Sequence, residues 1–172
     1  MIALIIGGSG SGKSAYAEKL VKQISQNNRV YIATMRVWDK ESENRVARHR
    51  TQRAELGFET IECPVNLGDI QLPKDATVLL EDIPNLVANE MFDENGDVNR
   101  IIPAIEKLAR SCKNLVMVTG NVFADGGNYD SETQEYMRLL SEVNAAAAVL
   151  SDCGVEVVYT IPVPFKGELP CT

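Results

Sequence analysis

An eight-residue stretch rich in glycine, Gly-Gly-Ser-Gly-Ser-Gly-Lys-Ser at residues 7–14, constrains the fold of this chain more than any other feature. The apolar run before it, residues 2–6, is typical of a buried strand. After it, residues 14–25 carry apolar side chains at helical spacing. A strand, a glycine-rich loop and a helix in this order predict the start of an α/β fold whose loop can surround an anion.

The loop matches the Walker A pattern Gly-x4-Gly-Lys-Ser, and each residue type in it has a chemical reason. Glycines let the backbone turn so that successive N–H groups point at a phosphate, and the following helix adds the partial positive charge of its N-terminus. The lysine can reach the outer phosphates, and the serine hydroxyl can ligate Mg²⁺. A flexible strand–helix turn without a ligand is the plainer interpretation. We predict that nucleotide phosphates bind Gly7, Gly8, Ser9, Gly10, Ser11, Gly12, Lys13 and Ser14.

Beyond the loop, the pattern alternates between strand and helix along the whole chain. Strands are predicted at 29–34, 58–63, 76–82, 114–120 and 155–161, and helices at 39–57, 83–92, 98–112 and 132–153. Residues 120–131 form a loop rich in glycine and aspartate, and the proline-containing tail is expected to be irregular. Strands that are apolar on both faces indicate a mostly parallel sheet with helices on both faces. We predict a single α/β domain over residues 1–172, with a P-loop NTPase-like fold.

The net charge and the distribution of apolar residues disfavour several classes of protein. The formal net charge of -7 disfavours a nucleic-acid partner, which normally requires a basic face. No apolar run approaches the roughly 18 residues of a membrane span, and the opening run is too short for a signal peptide, so we expect a cytoplasmic protein. The four cysteines include no Cys-x-x-Cys pair, and with one histidine they favour reduced structural thiols over a zinc site.

Two acids, Glu81 and Asp82, end the apolar strand predicted at 76–82. P-loop enzymes use a carboxylate near the Mg²⁺ at the end of a neighbouring strand. A carboxylate can also accept both donors on the edge of a guanine. Alternatively, both acids start a turn and cap the next helix. The pattern does not decide which acid has which role.

The only histidine, His49, lies in an arginine-rich segment. On a helix, Arg45, His49 and Arg53 share one face, and Arg48 and Arg50 flank it. A solvated basic face would explain this arrangement without a function. However, an imidazole can attack phosphorus, and nearby arginines would bind a triphosphate and keep the imidazole neutral. The segment therefore indicates a nucleophilic histidine.

These residues together resemble the bifunctional adenosylcobinamide kinase/adenosylcobinamide-phosphate guanylyltransferase family of cobalamin biosynthesis. The resemblance covers most of the chain, and its most specific part is the histidine segment at residues 43–53. It also includes the glycine loop, residues 30–35, 60–63, 78–92 and 114–120, and the late helix at 142–152, with Asn144 at the family's characteristic position.

The resemblance implies two activities on a P-loop fold with a largely parallel sheet. Family members phosphorylate adenosylcobinamide with ATP or GTP, and then transfer GMP from GTP through a guanylylated histidine. If the family's functional residues are matched to this sequence, His49 would accept GMP and Lys13 would act with it in catalysis. Ser14 and Asp82 would then hold Mg²⁺, and a homotrimer known in the family implies a homo-oligomer. The GTP site would be lined by Thr34, Met35, Arg36, Val37, Arg53, Glu62 and Glu81.

After residue 120 the chain departs from the family pattern. Asn121 stands where a glutamate is typical, and the loop lacks the usual proline. Because loops at the carboxyl ends of strands bind substrate in α/β proteins, this difference keeps a second hypothesis open. That hypothesis is a P-loop kinase for another small alcohol, without a guanylyl-enzyme step. A third is a nucleotide-gated module that recruits a protein partner without turnover.

Overall fold

The computed structural model of the chain describes residues 1–36, 56–121, 127 and 129–169. One seven-stranded sheet forms its centre, with the strand order β3-β2-β4-β5-β1-β6-β7. The strands, in chain order from β1 to β7, are Ile2–Gly7, Arg29–Ala33, Phe58–Glu62, Thr77–Glu81, Asn114–Gly120, Cys153–Val158 and Ile161–Lys166. All neighbouring pairs are parallel except β6 and β7. The predicted α/β fold with a mostly parallel sheet is confirmed.

Four α-helices lie in the described part of the chain. They are α1 (Lys13–Ile24), α2 (Ile83–Phe92), α3 (Ile101–Ser111) and α4 (Ser131–Leu150). Short 3₁₀ turns occur at Leu67–Asp69 and Val98–Arg100. The sequence predicted α2 and β5 with the observed bounds, because both are flanked by residues that stop a helix or strand. The helix predicted at 39–57 falls almost wholly outside the described residues. None of the described helices is both long and apolar enough to cross a bilayer.

The helices cover both faces of the sheet, as predicted. Helix α1 packs through Ala17, Leu20 and Val21 against one face. Helices α2, α3 and α4 pack against the other, through apolar residues such as Leu86 and Ile105. Successive strand residues alternate between the two layers, so Leu79 faces α1 whereas Leu80 belongs to the opposite core. The central strands must therefore be apolar at nearly every position.

The chain after β6 forms a strand, which corrects the prediction of an irregular tail. Residues Ile161–Lys166 form β7, which pairs antiparallel with β6 across a two-residue turn at Tyr159 and Thr160. Val158 and Ile161 close this turn. Pro162 and Pro164 therefore stand at alternate positions, where the backbone N–H of any other residue would face away from β6. An edge strand tolerates proline at such positions.

The parallel strands bring their carboxyl ends to one edge of the sheet. Strand β1 pairs with β5 from Ile2 opposite Leu115 to Gly7 opposite Gly120, and β2 pairs with β4 up to Ala33 opposite Glu81. In an open α/β sheet, ligands bind at this edge, where the loops between strands and helices converge. The glycine loop and both candidate acids lie there.

Candidate active site

The glycine loop at residues 7–14 connects β1 directly to α1. Gly10 and Gly12 have positive φ angles of 70° and 90°, a conformation that favours glycine. Gly12 is the N-cap of α1 and has no side chain, so in the described part of the chain no side-chain cap accepts from the first N–H groups of the helix. Lys13 Nζ donates to the Gly8 carbonyl oxygen at 3.2 Å, which places its charge back over the loop. The loop therefore combines unpaired amides and an ammonium group, the requirements for binding phosphates.

Ser11 contributes differently from what its place in the loop suggests. Its hydroxyl is buried and has no hydrogen-bond partner among the described residues. It lies beneath the start of the loop, where a Cβ added to Gly7 would be only 2.5 Å from Ser11 Oγ. Its backbone N–H donates to the Gly8 carbonyl at 3.2 Å. The hydroxyl is thus turned under the loop and the N–H is already bonded to Gly8, so the structure presents neither donor of Ser11 to a phosphate.

Ser14 contacts an acid at the end of β4. Its hydroxyl donates to Glu81 Oε1. Burial raises the pKa of Glu81, and the nearby acids Asp82 and Glu18 raise it further, against the opposing effect of hydrogen bonds from Ser14 and Tyr31. Among the residues that the structure describes, no donor meets the buried Glu81 Oε2 within hydrogen-bonding geometry. A buried carboxylate that is short of compensating charge, next to a serine hydroxyl, matches the oxygen ligands that Mg²⁺ prefers.

Asp82 follows Glu81 through a cis peptide bond and has a different environment. Asp82 Oδ1 accepts hydrogen bonds from the Asn85 backbone N–H and from Asn85 Nδ2, both at 2.8 Å, and so caps α2. Burial raises the pKa of Asp82, whereas the Asn85 bonds and the charge of Lys13 lower it. The contacts thus pair Ser14 with Glu81, whereas the sequence placed Ser14 and Asp82 at the metal and left the division of roles between the two acids open. Asp82 matches the helix-cap alternative.

Thr34 joins the ends of β2 and β4. Its backbone N–H donates to the Glu81 carbonyl at 2.9 Å, and its hydroxyl donates to the Asp82 carbonyl at 2.8 Å and accepts from the Asp82 N–H at 2.7 Å. The side chain is fully buried. Thr34 therefore holds the two acids in place, and its hydroxyl is already engaged within the protein.

The remaining residues expected at the nucleotide site fall into two groups. Met35 is half-buried after β2, and the Arg36 guanidinium forms an ion pair with Asp93 at the end of α2. The Asp93 pKa is lowered by a backbone hydrogen bond from Asn95 and by Arg36. Glu62 ends β3 at the same edge, opposite Ala33. Val37, His49 and Arg53 lie outside the described residues, as do the flanking arginines.

Asn89 also belongs to this edge, although the sequence analysis did not select it. Asn89 Nδ2 donates to the Thr34 carbonyl at 2.7 Å and to the Pro64 carbonyl at 2.9 Å, and so ties the loops after β2 and β3 to α2. Its spacing from Asn85 in the sequence could have indicated this position. Asn85 and Asn89 lie at i and i+4 on a mostly apolar helix, a pattern that indicates polar side chains facing a site or a loop.

Comparison with known proteins shows which family this chain resembles. The chain matches the family model described as "Cobinamide kinase / cobinamide phosphate guanyltransferase" over residues 3–165. It is 30% identical, over 183 aligned positions, to the bifunctional adenosylcobalamin biosynthesis protein CobU of Escherichia coli K12, covering 91% of this chain and 99% of that protein. It is 35% identical to the Salmonella typhimurium LT2 protein of the same name over 100 positions, which cover 56% of this chain and 54% of that protein.

A solved structure supports the fold independently. The chain is similar to the flagellar accessory protein FlaH of Methanocaldococcus jannaschii, with a TM-score of 0.56 and 9% sequence identity, over 96% of this chain and 78% of that one. At this identity the likeness concerns the fold alone. The family model, by contrast, spans the glycine loop, the acids at the end of β4 and the β6–β7 hairpin. This chain belongs to the cobinamide kinase/cobinamide phosphate guanyltransferase family.

Proposed function

We propose that this protein phosphorylates adenosylcobinamide with ATP or GTP and then transfers GMP from GTP to the new phosphate, yielding adenosylcobinamide-GDP. Family membership supports both activities. The structural observation that carries the kinase half is the Ser14–Glu81 contact, which joins the glycine loop to the end of β4. The resemblance carries the guanylyl half through His49.

In the first step, the substrate hydroxyl oxygen attacks the γ-phosphorus and the bond from that phosphorus to the β-phosphate oxygen breaks. The hydroxyl proton is lost, and the nucleoside diphosphate leaves. The loop N–H groups and Lys13 are positioned to stabilise negative charge on the transferring group. Ser14 and Glu81 would hold Mg²⁺, which supplies charge neutralisation between the outer phosphates when it is bound.

In the second step, a nitrogen of the His49 imidazole attacks the α-phosphorus of GTP and pyrophosphate leaves. A phosphate oxygen of adenosylcobinamide phosphate then attacks the same phosphorus, which breaks the nitrogen–phosphorus bond and frees the imidazole. Arg53, and the arginines that flank the histidine in the sequence, would bind the phosphates. Our proposed lining of the GTP site remains Met35, Arg36, Val37, Glu62 and Glu81. Thr34 is fully buried and supports this lining through the hydrogen bond from its N–H to the Glu81 carbonyl.

We also propose that the protein functions as a homo-oligomer, with the trimer implied by the family resemblance as its form. The described structure supports association through the outer edge of the sheet. Ile161, Val163 and Phe165 lie at alternate positions of β7 and are about half exposed or more, at 64%, 47% and 52%. Exposed apolar side chains grouped in this way are typical of interaction surfaces.

Intact-protein mass spectrometry after incubation with GTP and Mg²⁺, with ATP as the control, tests the guanylyl step. We expect an acid-labile adduct of the mass of GMP with GTP only, mapping to His49. Lys13→Ala should abolish both half-reactions, whereas His49→Ala should lose the adduct and keep the kinase product. Loss of both products in a folded His49→Ala protein would contradict this division of roles.

One observation favours a second candidate, a P-loop kinase for another small alcohol. Asn121, directly after β5, replaces the glutamate typical of the family at the edge where substrate loops converge. That candidate predicts transfer of the γ-phosphate without any adduct. A protein that binds GTP, forms no adduct and phosphorylates an alcohol other than adenosylcobinamide would establish it in place of our proposal.

A further inference from the structure

The tip of the β6–β7 hairpin packs against the phosphate loop. The Thr160 backbone N–H donates to the Ser11 carbonyl oxygen at 2.8 Å, which links the turn to the loop directly. A Cβ added to Gly12 would lie 2.9 Å from Thr160 Cγ2, and one added to Gly7 would lie 2.8 Å from the Val157 carbonyl oxygen. The hairpin is therefore one wall of the loop, although it lies at the opposite end of the chain.

The two residues at this tip adopt a conformation that is costly for them. Tyr159 has a φ of 47° and Thr160 a φ of 68°, and neither is glycine. Two-residue hairpin turns with positive φ at both positions favour Asn-Gly or Gly-Gly, and a β-branched residue is an outlier there. Such strain persists where the surrounding structure requires it, and it is concentrated at functional sites.

The large ring of Tyr159 is exposed to solvent, so its burial does not stabilise the fold. Its side chain is 87% exposed, next to Val158 and Ile161, which are 42% and 64% exposed. A smaller polar residue would adopt the same turn at lower cost. The Tyr159 ring is neither buried in the core nor favoured by the backbone conformation of the turn, and both observations therefore indicate a role in binding.

The position of the turn indicates what would bind. If the loop holds the outer phosphates, as proposed above, the nucleoside extends past the N-terminus of α1, which begins after Gly12. Thr160 lies against Gly12, and Tyr159 precedes it in the same turn. We infer that Tyr159 is a stacking platform for the purine base of the nucleotide held by the phosphate loop, a contact that neither the family match nor the motif assigns. The inference rests on the proposed function in requiring that the loop binds a purine nucleoside triphosphate.

A platform of this kind would have a recognisable selectivity. Every purine has a π-face, so stacking on an uncharged ring stabilises adenine and guanine without hydrogen-bond discrimination between them. Tyr159 would therefore increase the affinity for ATP and for GTP to a similar degree. Inorganic tripolyphosphate has no base and would gain nothing from the ring. This difference separates a contact with the base from an effect on the phosphate loop.

The test is isothermal titration calorimetry, which measures the affinity of the full chain and of two variants for three ligands. These ligands are Mg-ATP, Mg-GTP and Mg-tripolyphosphate. Tyr159→Phe keeps the ring. Tyr159→Asn removes the ring but suits a positive φ, so the turn is kept and thermal stability should not fall. We expect Tyr159→Asn to bind both nucleotides about 10-fold more weakly. We expect the Phe variant to bind like the wild type, and tripolyphosphate affinity to be the same in all three proteins.

Three outcomes would overturn the inference. Unchanged nucleotide affinity in Tyr159→Asn would remove the platform while leaving the proposed function intact. An equal loss for tripolyphosphate would show that the residue acts on the loop instead of the base. A changed sedimentation coefficient that accompanies the loss would assign Tyr159 to a contact between copies of the chain. If the wild type bound no nucleotide at all, the proposed function would fall first, and the inference with it.

Discussion

Ser11 and Ser14 stand three residues apart in the same loop, but their hydroxyl groups have opposite environments. Ser11 Oγ is buried under Gly7 without a partner among the described residues, whereas Ser14 Oγ donates to Glu81. An unsatisfied buried hydroxyl lowers the stability of the folded state. A hydroxyl next to a carboxylate at a phosphate loop is available to a metal ion.

The two serines can therefore be separated by matched substitutions. Ser11→Ala should raise the free energy of unfolding by about 1 kcal/mol, because it removes the unsatisfied hydroxyl, and should leave nucleotide affinity unchanged. Ser14→Ala should reduce Mg²⁺-dependent phosphoryl transfer on the order of 100-fold with little change in stability. Chemical denaturation and a kinase product assay check both. Equal losses of activity in the two variants would show that the hydroxyls are equivalent.

Glu81 makes the stability of the protein depend on pH. Burial raises the pKa of Glu81 in the folded protein above its ordinary value of 4.5, so the folded state binds this proton more tightly than the unfolded chain. Its contribution to stability is complete below the ordinary pKa and is lost as the pH rises through the raised pKa. Glu81→Gln should remove this decline, and the Gln oxygen can still accept from Ser14.

The measurement is the free energy of unfolding of both proteins, without nucleotide, from pH 4 to pH 8. The wild type should lose stability relative to Glu81→Gln as the pH rises, and the variant should be the more stable at neutral pH. Taking the difference between the two curves cancels the groups that do not interact with Glu81, whereas Asp82 and Glu18, whose charges act on Glu81, contribute together with it. A constant difference across the range would mean that the pKa of Glu81 is ordinary.

At the scale of elements, helix α2 is positioned by polar contacts at its start and along one side. Asp82 caps its first turn, and Asn89 binds the loops that follow β2 and β3. The helix therefore holds the two loops after β2 and β3, together with the end of β4, as one unit. A change at its N-cap should act on stability through the helix, and on activity only if the Asp82 charge is itself required.

Two substitutions at Asp82 distinguish these effects. Asp82→Ala should lower the free energy of unfolding by about 1 kcal/mol, because the Asn85 N–H loses its acceptor. Asp82→Asn keeps a capping oxygen and should remain close to wild-type stability. If Ser14 and Glu81 hold the metal, the Asn variant should also keep most of its kinase activity. A stable Asn variant with no Mg²⁺-dependent activity would return the metal role to Asp82.

At the scale of the whole molecule, strand β7 forms the edge of the sheet through which we proposed that copies of the chain associate. Pro162 and Pro164 remove donors on the free side of β7, and its exposed apolar residues alternate with them along the strand. An edge without donors cannot be extended easily by another strand. Association through this region would therefore involve side chains, which allows a closed oligomer rather than an open-ended sheet.

Replacing both prolines tests this account. Pro162→Thr with Pro164→Thr restores two N–H groups on a strand that keeps its apolar residues, and we expect concentration-dependent growth of large assemblies. The wild type should form one discrete species. Sedimentation velocity over a range of protein concentrations distinguishes the two. A Pro162→Lys, Pro164→Lys control restores the donors but adds charge, and should remain discrete.

Local patterns alone predicted the α/β fold class, the β1–loop–α1 unit and the bounds of α2 and β5. These features depend on residue spacing and on start and stop signals within a few positions of one another. The same information predicted that Glu81 and Asp82 lie at a ligand-binding edge, because parallel strands place their carboxyl ends together. The chemistry of His49 remains a prediction, since that residue lies outside the described part of the chain.

Only the tertiary structure showed that Glu81 meets Ser14 whereas Asp82 caps α2, and which segments surround the loop. Consecutive residues at a strand end point in different directions, so spacing could not tell which acid meets Ser14. The tail contains prolines that local rules exclude from strands, but pairing at a free edge makes them compatible with β7. Thr160 meets the phosphate loop because β6 lies beside β1 in the sheet, and such contacts between distant segments arise only from the packing of the whole chain.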